Sequence, residues 1–399
     1  MHVRPLFERY ITNHQVQYVF FKYDYSLGYM KLAFCLFKYF PFGGLQRDFL
    51  RIAKECVRRG HQVDVFTMAW EGELEPSVSI NIIPVSGAQN HVRAQQFVNQ
   101  IQSKLALYDW VVGFNKMPLL DVYYAADTCY QAKARRQRGA WYRLMPRYRH
   151  LIAYEKAVFA ADAKTKILLL SKAQQAEFMH FYETPAELFE LLPPGIAKDR
   201  RAPSNAAEIR NKVREKLAIQ ANEFLLLLVG SGFKTKGLDR VLLAFAAMPD
   251  ELKSRSYVYV VGEDNPELFK REAKKLGISS QVKFLGGRND VADLLLAADL
   301  LLHPAYNENT GTVLLEALVS GLPVLTTDVC GYAEYISKAC AGAVLSSPFN
   351  QVEFNQTVVR MLLSSEQTTW KKNALAFARE ADIYGMPEKA ADYIESLKL

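Results

Sequence analysis

The sequence predicts an α/β protein of two doubly wound, Rossmann-like domains that face each other across a cleft. Three observations predict it. Short apolar runs alternate with helical periods along most of the chain, the pattern of a mainly parallel sheet. The alternation breaks once, at Pro193-Pro194-Gly195 and a polar stretch running through Pro203-Ser204-Asn205. The 399 residues, half apolar and 23% charged, exceed one ordinary domain and supply two sizeable cores.

The elements follow in order. Residues 1–29 are polar and aromatic without a sustained period and are expected to be a dispensable or poorly ordered extension. From Met30 the pattern is clear: strand 32–37, a turn at Pro41-Phe42-Gly43-Gly44, and helix 45–59 with Leu45, Phe49, Ile52, Ala53 and Cys56 on one face. Gly60 ends that helix. Strand 62–67, strand 80–85, helix 92–107 and strand 110–114 come next, then a basic helical stretch, strand 166–170 and a helix near 173–182. Beyond the break run strand 224–229, helix 238–247, strand 257–261, helix 266–276, strand 282–285, helix 291–297, strand 300–303, helix 311–320 and strand 323–326. The tail from residue 354 is helical. The expected domains are therefore 30–196 and 197–382, with 383–399 a candidate to complete the first.

Composition excludes several classes. No apolar run approaches the ~20 residues of a membrane-spanning helix, and the first thirty residues carry no secretory signal. The five cysteines form no Cys-x-x-Cys pair, and Cys35 and Cys56 read as buried free thiols. A reduced, cytoplasmic protein is expected. The net charge of +7 is concentrated. Between Asp127 and Glu155 there is no acid, while Lys133, Arg135, Arg136, Arg138, Arg143, Arg147 and Arg149 equal the whole excess.

The chemistry-bearing pattern is Glu308-Asn-Thr-Gly-Thr-Val-Leu-Leu-Glu316, after strand 300–303. If a helix opens near Asn309, the amides of Asn309, Thr310, Gly311 and Thr312 suit a diphosphate. Glu316 then lies roughly 12 Å along the axis from Glu308 at ~1.5 Å per residue, about the span of a nucleotide sugar. An ordinary capped helix with one exposed glutamate has the same spacing. Gly230-Ser-Gly-Phe-Lys234-Thr-Lys236-Gly237 also joins a strand to a helix. It fits neither Gly-x-Gly-x-x-Gly nor a P-loop, which leaves an anion-facing loop with Lys234 and Lys236 as counter-charges. In the first domain Gly43-Gly44 sits where backbone approaches a ligand, and Asp48 either faces the cleft or is a solvated first-turn acid. Asn115, Lys116 and Asp121 follow strand 110–114 and are candidates for the acceptor side. No Asp-x-Asp occurs anywhere, so no metal is expected at a diphosphate.

These features together resemble the retaining GT-B glycosyltransferases. Phe34-Cys-Leu-Phe-Lys-Tyr-Phe-Pro-Phe-Gly-Gly-Leu-Gln-Arg-Asp48, Val112-Gly-Phe-Asn-Lys-Met-Pro118, Leu191-Leu-Pro-Pro-Gly-Ile196, Gly286-Gly-Arg-Asn-Asp-Val291 and Val329-Cys-Gly-Tyr332 are similar to the lipopolysaccharide inner-core glucosyltransferases. The resemblance runs from Met30 nearly to the end. It implies an acceptor-side first domain, a nucleotide-sugar-binding second domain, and retaining transfer of glucose from UDP-glucose to the second heptose of the inner core through an α-1,3 bond. It implies that Gly44 and Asp48 lie at the donor sugar and diphosphate, Arg200 and Lys236 at the phosphates, Arg288 by the uracil, Glu308 at the glucose and Glu316 on the ribose. Thr235 departs from the arginine usual before that lysine.

GDP-mannose or UDP-N-acetylglucosamine on another glycolipid is the alternative within the scaffold. From a different class, basic residues interleaved with Trp141, Tyr142 and Tyr148 are a composition that RNA binders use. No nucleic-acid module accompanies it, and no nucleic acid is expected. The segment reads instead as attachment to the anionic cytoplasmic face of the inner membrane, with Tyr130, Trp141, Tyr142 and Tyr148 at headgroup depth and few aliphatic residues to insert. A solvated helix face is the plain alternative.

Overall fold

The computed structural model describes residues 8–12, 15–19, 28–41 and 43–398. Most of the segment 1–29, and Phe42 of the predicted turn, lie outside them. Within that segment, Glu8–Thr12 and Gln15–Val19 form an antiparallel pair bonded to neither main sheet. Tyr29, assigned above to the extension, belongs with the first domain. Its hydroxyl donates to Gln62 Oε1 at 2.6 Å, and its carbonyl accepts from Lys398 Nζ at 2.9 Å.

The first domain is a seven-stranded parallel sheet. In chain order its strands are β1 (Lys31–Cys35), β2 (Gln62–Thr67), β3 (Ser79–Ile82), β4 (Trp110–Gly113), β5 (Val122–Ala125), β6 (Lys166–Leu169) and β7 (Phe189–Leu191). Their spatial order is β7-β6-β5-β4-β1-β2-β3. The second domain repeats the scheme with β8 (Phe224–Val229), β9 (Ser256–Val261), β10 (Val282–Gly286), β11 (Leu300–His303), β12 (Val324–Thr327) and β13 (Gly342–Leu345), in the order β10-β9-β8-β11-β12-β13. In both, the order reverses beside the first strand, between β1 and β4 and between β8 and β11. Helices cover both faces, so inner strands such as β8 are apolar along their length. Leu32 and Phe34 enter one core while Ala33 and Cys35 enter the other. Leu225 and Leu227 part from Leu226 and Leu228 in the same way.

β5, β7 and β13 were not expected from the sequence. β5 matters most, because it puts Asp121 at the amino end of a strand, away from the carboxyl ends where a doubly wound sheet builds its site. The last helix, Met386–Ser396, lies on the helix Gly44–Arg58 and adds Met386, Ala390 and Ile394 to the first domain's core. Arg59 bonds Asp392 and Glu395 at 2.7 and 2.8 Å, and His61 Nε2 lies 2.7 Å from Glu395. The chain thus crosses between the domains twice, and the crossings touch where Ile196 N donates to Ile383 O at 2.9 Å.

Candidate active site

The carboxyl ends of the two sheets face each other across a cleft of about 890 Å³. The first domain contributes Phe40, Pro41, Gly43, Gly44 and Arg47. A Cβ added at Gly44 would meet no atom within 4 Å, so this turn leaves open space at the cleft floor. The second domain contributes the loop after β8 (Gly230, Ser231, Lys236), the loop after β9 (Gly262, Glu263), Arg288, and the run from His303 through Glu308 and Thr310–Thr312 to Glu316. Arg200, in the short turn Lys198–Arg200 after the first crossing, closes one side.

The helix after β11 starts at Thr312, later than expected, with Gly311 as its cap in the left-handed region at φ 78°. Glu308, Asn309 and Thr310 therefore stand in a loop ahead of it. Thr310 O accepts from Tyr332 N at 2.8 Å. Asn309 is turned to the other domain, its Nδ2 donating to Ala126 O at 2.5 Å. The amides of Asn309 and Thr310 are thus not the first amides of the helix, and only Thr312 opens it.

Glu308 pairs with Lys236 and has His303 Nε2 3.4 Å from its Oε2. Burial alone would raise this carboxyl, but His303 and Lys236 outweigh it and hold it at about 2. Glu316 lies 3.5 Å from Arg47 Nη1 across the cleft. Asp48 is part-buried behind the cleft wall and accepts from the Tyr124 hydroxyl at 2.7 Å. Burial lifts it to about 6, against the pull of that hydrogen bond and of Arg51 and Arg47, so it is ionised at pH 7 and loses its charge in mild acid.

Other candidates lie elsewhere. Lys234 points out of the loop, 64% exposed, and pairs with Asp239 at 2.5 Å. Asn115 Oδ1 accepts from Phe37 N at 2.7 Å and fastens two loops together. Lys116 is committed to Glu155 at 2.5 Å. That fully buried acid also takes the Tyr130 and Gln131 amides and the Tyr182 hydroxyl. Asp121 accepts from Val111 N at 2.8 Å at the amino ends of the strands, away from the cleft. Arg288 lines the cleft while held by Asp290 at 2.5 Å. Arg47 and His303 were missed. The signal for Arg47 was its helical spacing from Gly44. For His303 it was a polar residue closing an apolar strand.

Lys133, Arg135, Arg136, Arg138, Arg143, Arg147 and Arg149 are all exposed, on the helices Tyr130–Gln137 and Pro146–Phe159, the turn Ala140–Leu144 between them and, for Arg138, the residue just after the first helix. Trp141 (68%), Leu144 (70%) and Met145 (41%) are exposed with them, so the segment has more apolar surface than its composition suggested. Tyr130, Tyr142 and Tyr148 pack on one another, with the Tyr130 and Tyr142 hydroxyls 2.9 Å apart, and are not free side chains. No helix among the described residues is long and apolar enough to cross a membrane, and no three His, Cys, Asp or Glu side chains among them converge to hold a metal.

Comparison with known proteins places this architecture. The family model "Glycosyl transferases group 1" matches residues 209–377. Lipopolysaccharide glucosyltransferase WaaG of Escherichia coli K12 is 48% identical over 368 residues, 92% of this chain and 98% of that one. The crystal structure of a WaaG involved in lipopolysaccharide biosynthesis superposes with a TM-score of 0.86, covering 91% of this chain and 99% of that one at 48% identity. Anabaena HepE in complex with UDP and glucose shares the fold at 21% identity, with a TM-score of 0.73 and coverage of 92% and 100%.

Proposed function

The chain belongs to the WaaG family of lipopolysaccharide glucosyltransferases, within the group 1 glycosyltransferases of GT-B fold, and from that membership we propose that it moves glucose from UDP-glucose to the second heptose of the lipopolysaccharide inner core. The bond formed is α-1,3, with retention at the anomeric carbon. The observation that carries this reading is the meeting, in one interdomain cleft, of the Lys236–Glu308 pair from two neighbouring strand ends with Glu316 on the helix beyond.

In this reading Glu316 holds the ribose, Arg288 lies by the uracil, and Lys236 and Arg200 take the phosphates. Glu308 addresses the hexose, with Gly44 leaving room for it, while Asp48 lies behind the wall and does not face the cleft. The bond from the anomeric carbon to the β-phosphate oxygen breaks with its electron pair on the diphosphate. The acceptor hydroxyl attacks from the same face and gives its proton to that departing oxygen. The protein's contribution is positioning and charge stabilisation. Lys236 and Arg200 supply the positive charge, which supports turnover without a metal.

Purified protein should be given UDP-glucose, GDP-mannose or UDP-N-acetylglucosamine with core-truncated lipopolysaccharide, in excess chelator. Glucose transfer from UDP-glucose alone, undiminished by the chelator, is expected. Transfer from another donor would favour the alternative donors, and activity restored only by magnesium or manganese would overturn metal independence.

A lipid-anchored acceptor requires the enzyme to reach a membrane, and the exposed basic segment supports peripheral attachment to the cytoplasmic face of the inner membrane. Each Lys or Arg near an anionic surface contributes about 1 kcal/mol, and Trp141, Leu144 and Met145 add shallow insertion. Arg136 is paired with Glu177, and Arg135 and Arg138 lie over Phe181 and Tyr142, so reversing their charge would also break contacts within the protein. Changing Arg143, Arg147 and Arg149 to Glu should abolish sedimentation with anionic vesicles while turnover on a soluble acceptor survives. Unchanged sedimentation would reduce the segment to a solvated face.

A further inference from the structure

His303 is an ionisable group in the cleft wall to which the chemistry above gives no task. It closes β11, is 1% exposed, and neither ring nitrogen has a hydrogen-bond partner at full strength. What it does have is Oε2 of Glu308 3.4 Å from its Nε2, at the far limit of a hydrogen bond. That oxygen is also the one that pairs with Lys236 Nζ. The other titratable neighbour is Cys330, from the turn after β12, whose Sγ lies 3.3 Å from the Thr326 hydroxyl. Thr326 also bonds the His303 carbonyl at 3.0 Å, so the histidine backbone is pinned beneath the carboxylate.

Burying an imidazole costs free energy that a leucine at the end of an apolar strand would not. A purely structural histidine would recover that cost through a full hydrogen bond, and this one has none. Its polar face is turned to Glu308, and Lys236 cannot serve Glu308 and a leaving diphosphate equally. As the diphosphate draws the ammonium, the carboxylate loses a partner and needs another.

We propose that His303 is a positioning residue: its Nε2–H holds Oε2 of Glu308 in place while Lys236 turns to the departing diphosphate. The inference rests on the reading that Glu308 addresses the donor hexose. Burial would lower the imidazole's pKa, but Cys330 and Glu308 outweigh it and raise it above the usual histidine value. The charged form therefore persists to higher pH than in an ordinary histidine and is lost as pH rises through that raised value. The groups facing the ring are Glu308, with Lys236 beyond it, and the Cys330 thiol.

The test uses the full chain with UDP-glucose and a soluble acceptor, comparing His303→Leu, His303→Gln and Glu308→Gln. His303→Leu should lower kcat at least about tenfold with donor KM changed less than about twofold, the signature of an interaction made in the transition state. His303→Gln, a neutral donor of similar reach, should recover most of that loss. The alkaline fall in wild-type kcat should be absent from its pH profile. Wild-type kcat in His303→Leu, or an alkaline limb that persists in His303→Gln, would overturn the proposal, and the second readout decides even if the leucine variant fails to fold. If Glu308→Gln costs turnover while His303→Leu does not, only this inference falls. If Glu308→Gln costs nothing, the reading of the cleft falls with it.

Discussion

Glu308→Gln and Glu316→Gln should fail in different ways. The first should lower kcat about 10²–10³-fold, the usual cost of removing one preorganised polar group aimed at the reacting centre, with donor affinity little changed. The second should leave the chemical step largely intact and weaken UDP and UDP-glucose alike. A hydrogen bond to a charged acceptor contributes about 1.5–3 kcal/mol, so a roughly ten- to hundredfold loss of affinity is expected. The difference follows from the surroundings. Glu308 is clamped between His303 and Lys236 and held at about 2, so the amide removes a full charge from between those two side chains. Glu316 lies on a helix face with Arg47 at 3.5 Å and can lose its charge without disturbing the pair. Calorimetric titration of UDP together with steady-state kinetics separates the two. Equal, small effects from both would sink the assignment.

How much of this was legible in the sequence depends on the range over which the deciding contact acts. β8, Phe-Leu-Leu-Leu-Leu-Val, was visible because both its faces are buried and the apolar run is continuous. β7 and β13 lie at sheet edges, are three and four residues long and are only partly buried, so little apolar signal marks them. β5 is buried throughout, yet its Val-Tyr-Tyr-Ala run is too short to stand out from its flanks. Missing it reversed the position of Asp121, since a residue before a parallel strand sits at the opposite end from one after it.

The site residues divide in the same way. Gly44, Lys236, Glu308 and Glu316 were found because strand–loop–helix junctions point their loops at the cleft. Lys234 was misplaced because Gly232 and Gly237, both at positive φ, wind the loop so that Lys234 reaches Asp239 outside it. Lys116 was misplaced because its partner, Glu155, is 39 residues away on the helix Pro146–Phe159, a distance no local pattern can report. Arg47 gained its importance only when the second domain brought Glu316 to it.

Gly237→Ala should be among the most damaging single substitutions in the molecule. Gly237 caps the helix Leu238–Ala246 at φ 79°, in the left-handed region, where an alanine costs about 1–2 kcal/mol from conformation alone. An added Cβ would also lie 2.0 Å from the Pro304 carbonyl oxygen. Ordinary contact for such a pair needs about 3.3 Å, so the loops after β8 and β11 would have to part by roughly an ångström. Those loops carry Lys236 on one side and Glu308 on the other, and the displacement therefore acts on the catalytic pair itself. A misplacement of this size costs about 10²-fold in rate. Gly60→Ala provides the control, because Gly60 has φ 93° but no atom within 4 Å of the added carbon. It should show the conformational cost alone and keep its turnover. Urea unfolding should place Gly237→Ala at least about 2 kcal/mol below Gly60→Ala, as expected when a clash adds to the strain both share. Its kcat should fall about a hundredfold at temperatures where it remains folded. If the two variants match in stability and both turn over at the wild-type rate, the two loops are not held in the close register that the Lys236–Glu308 pair requires.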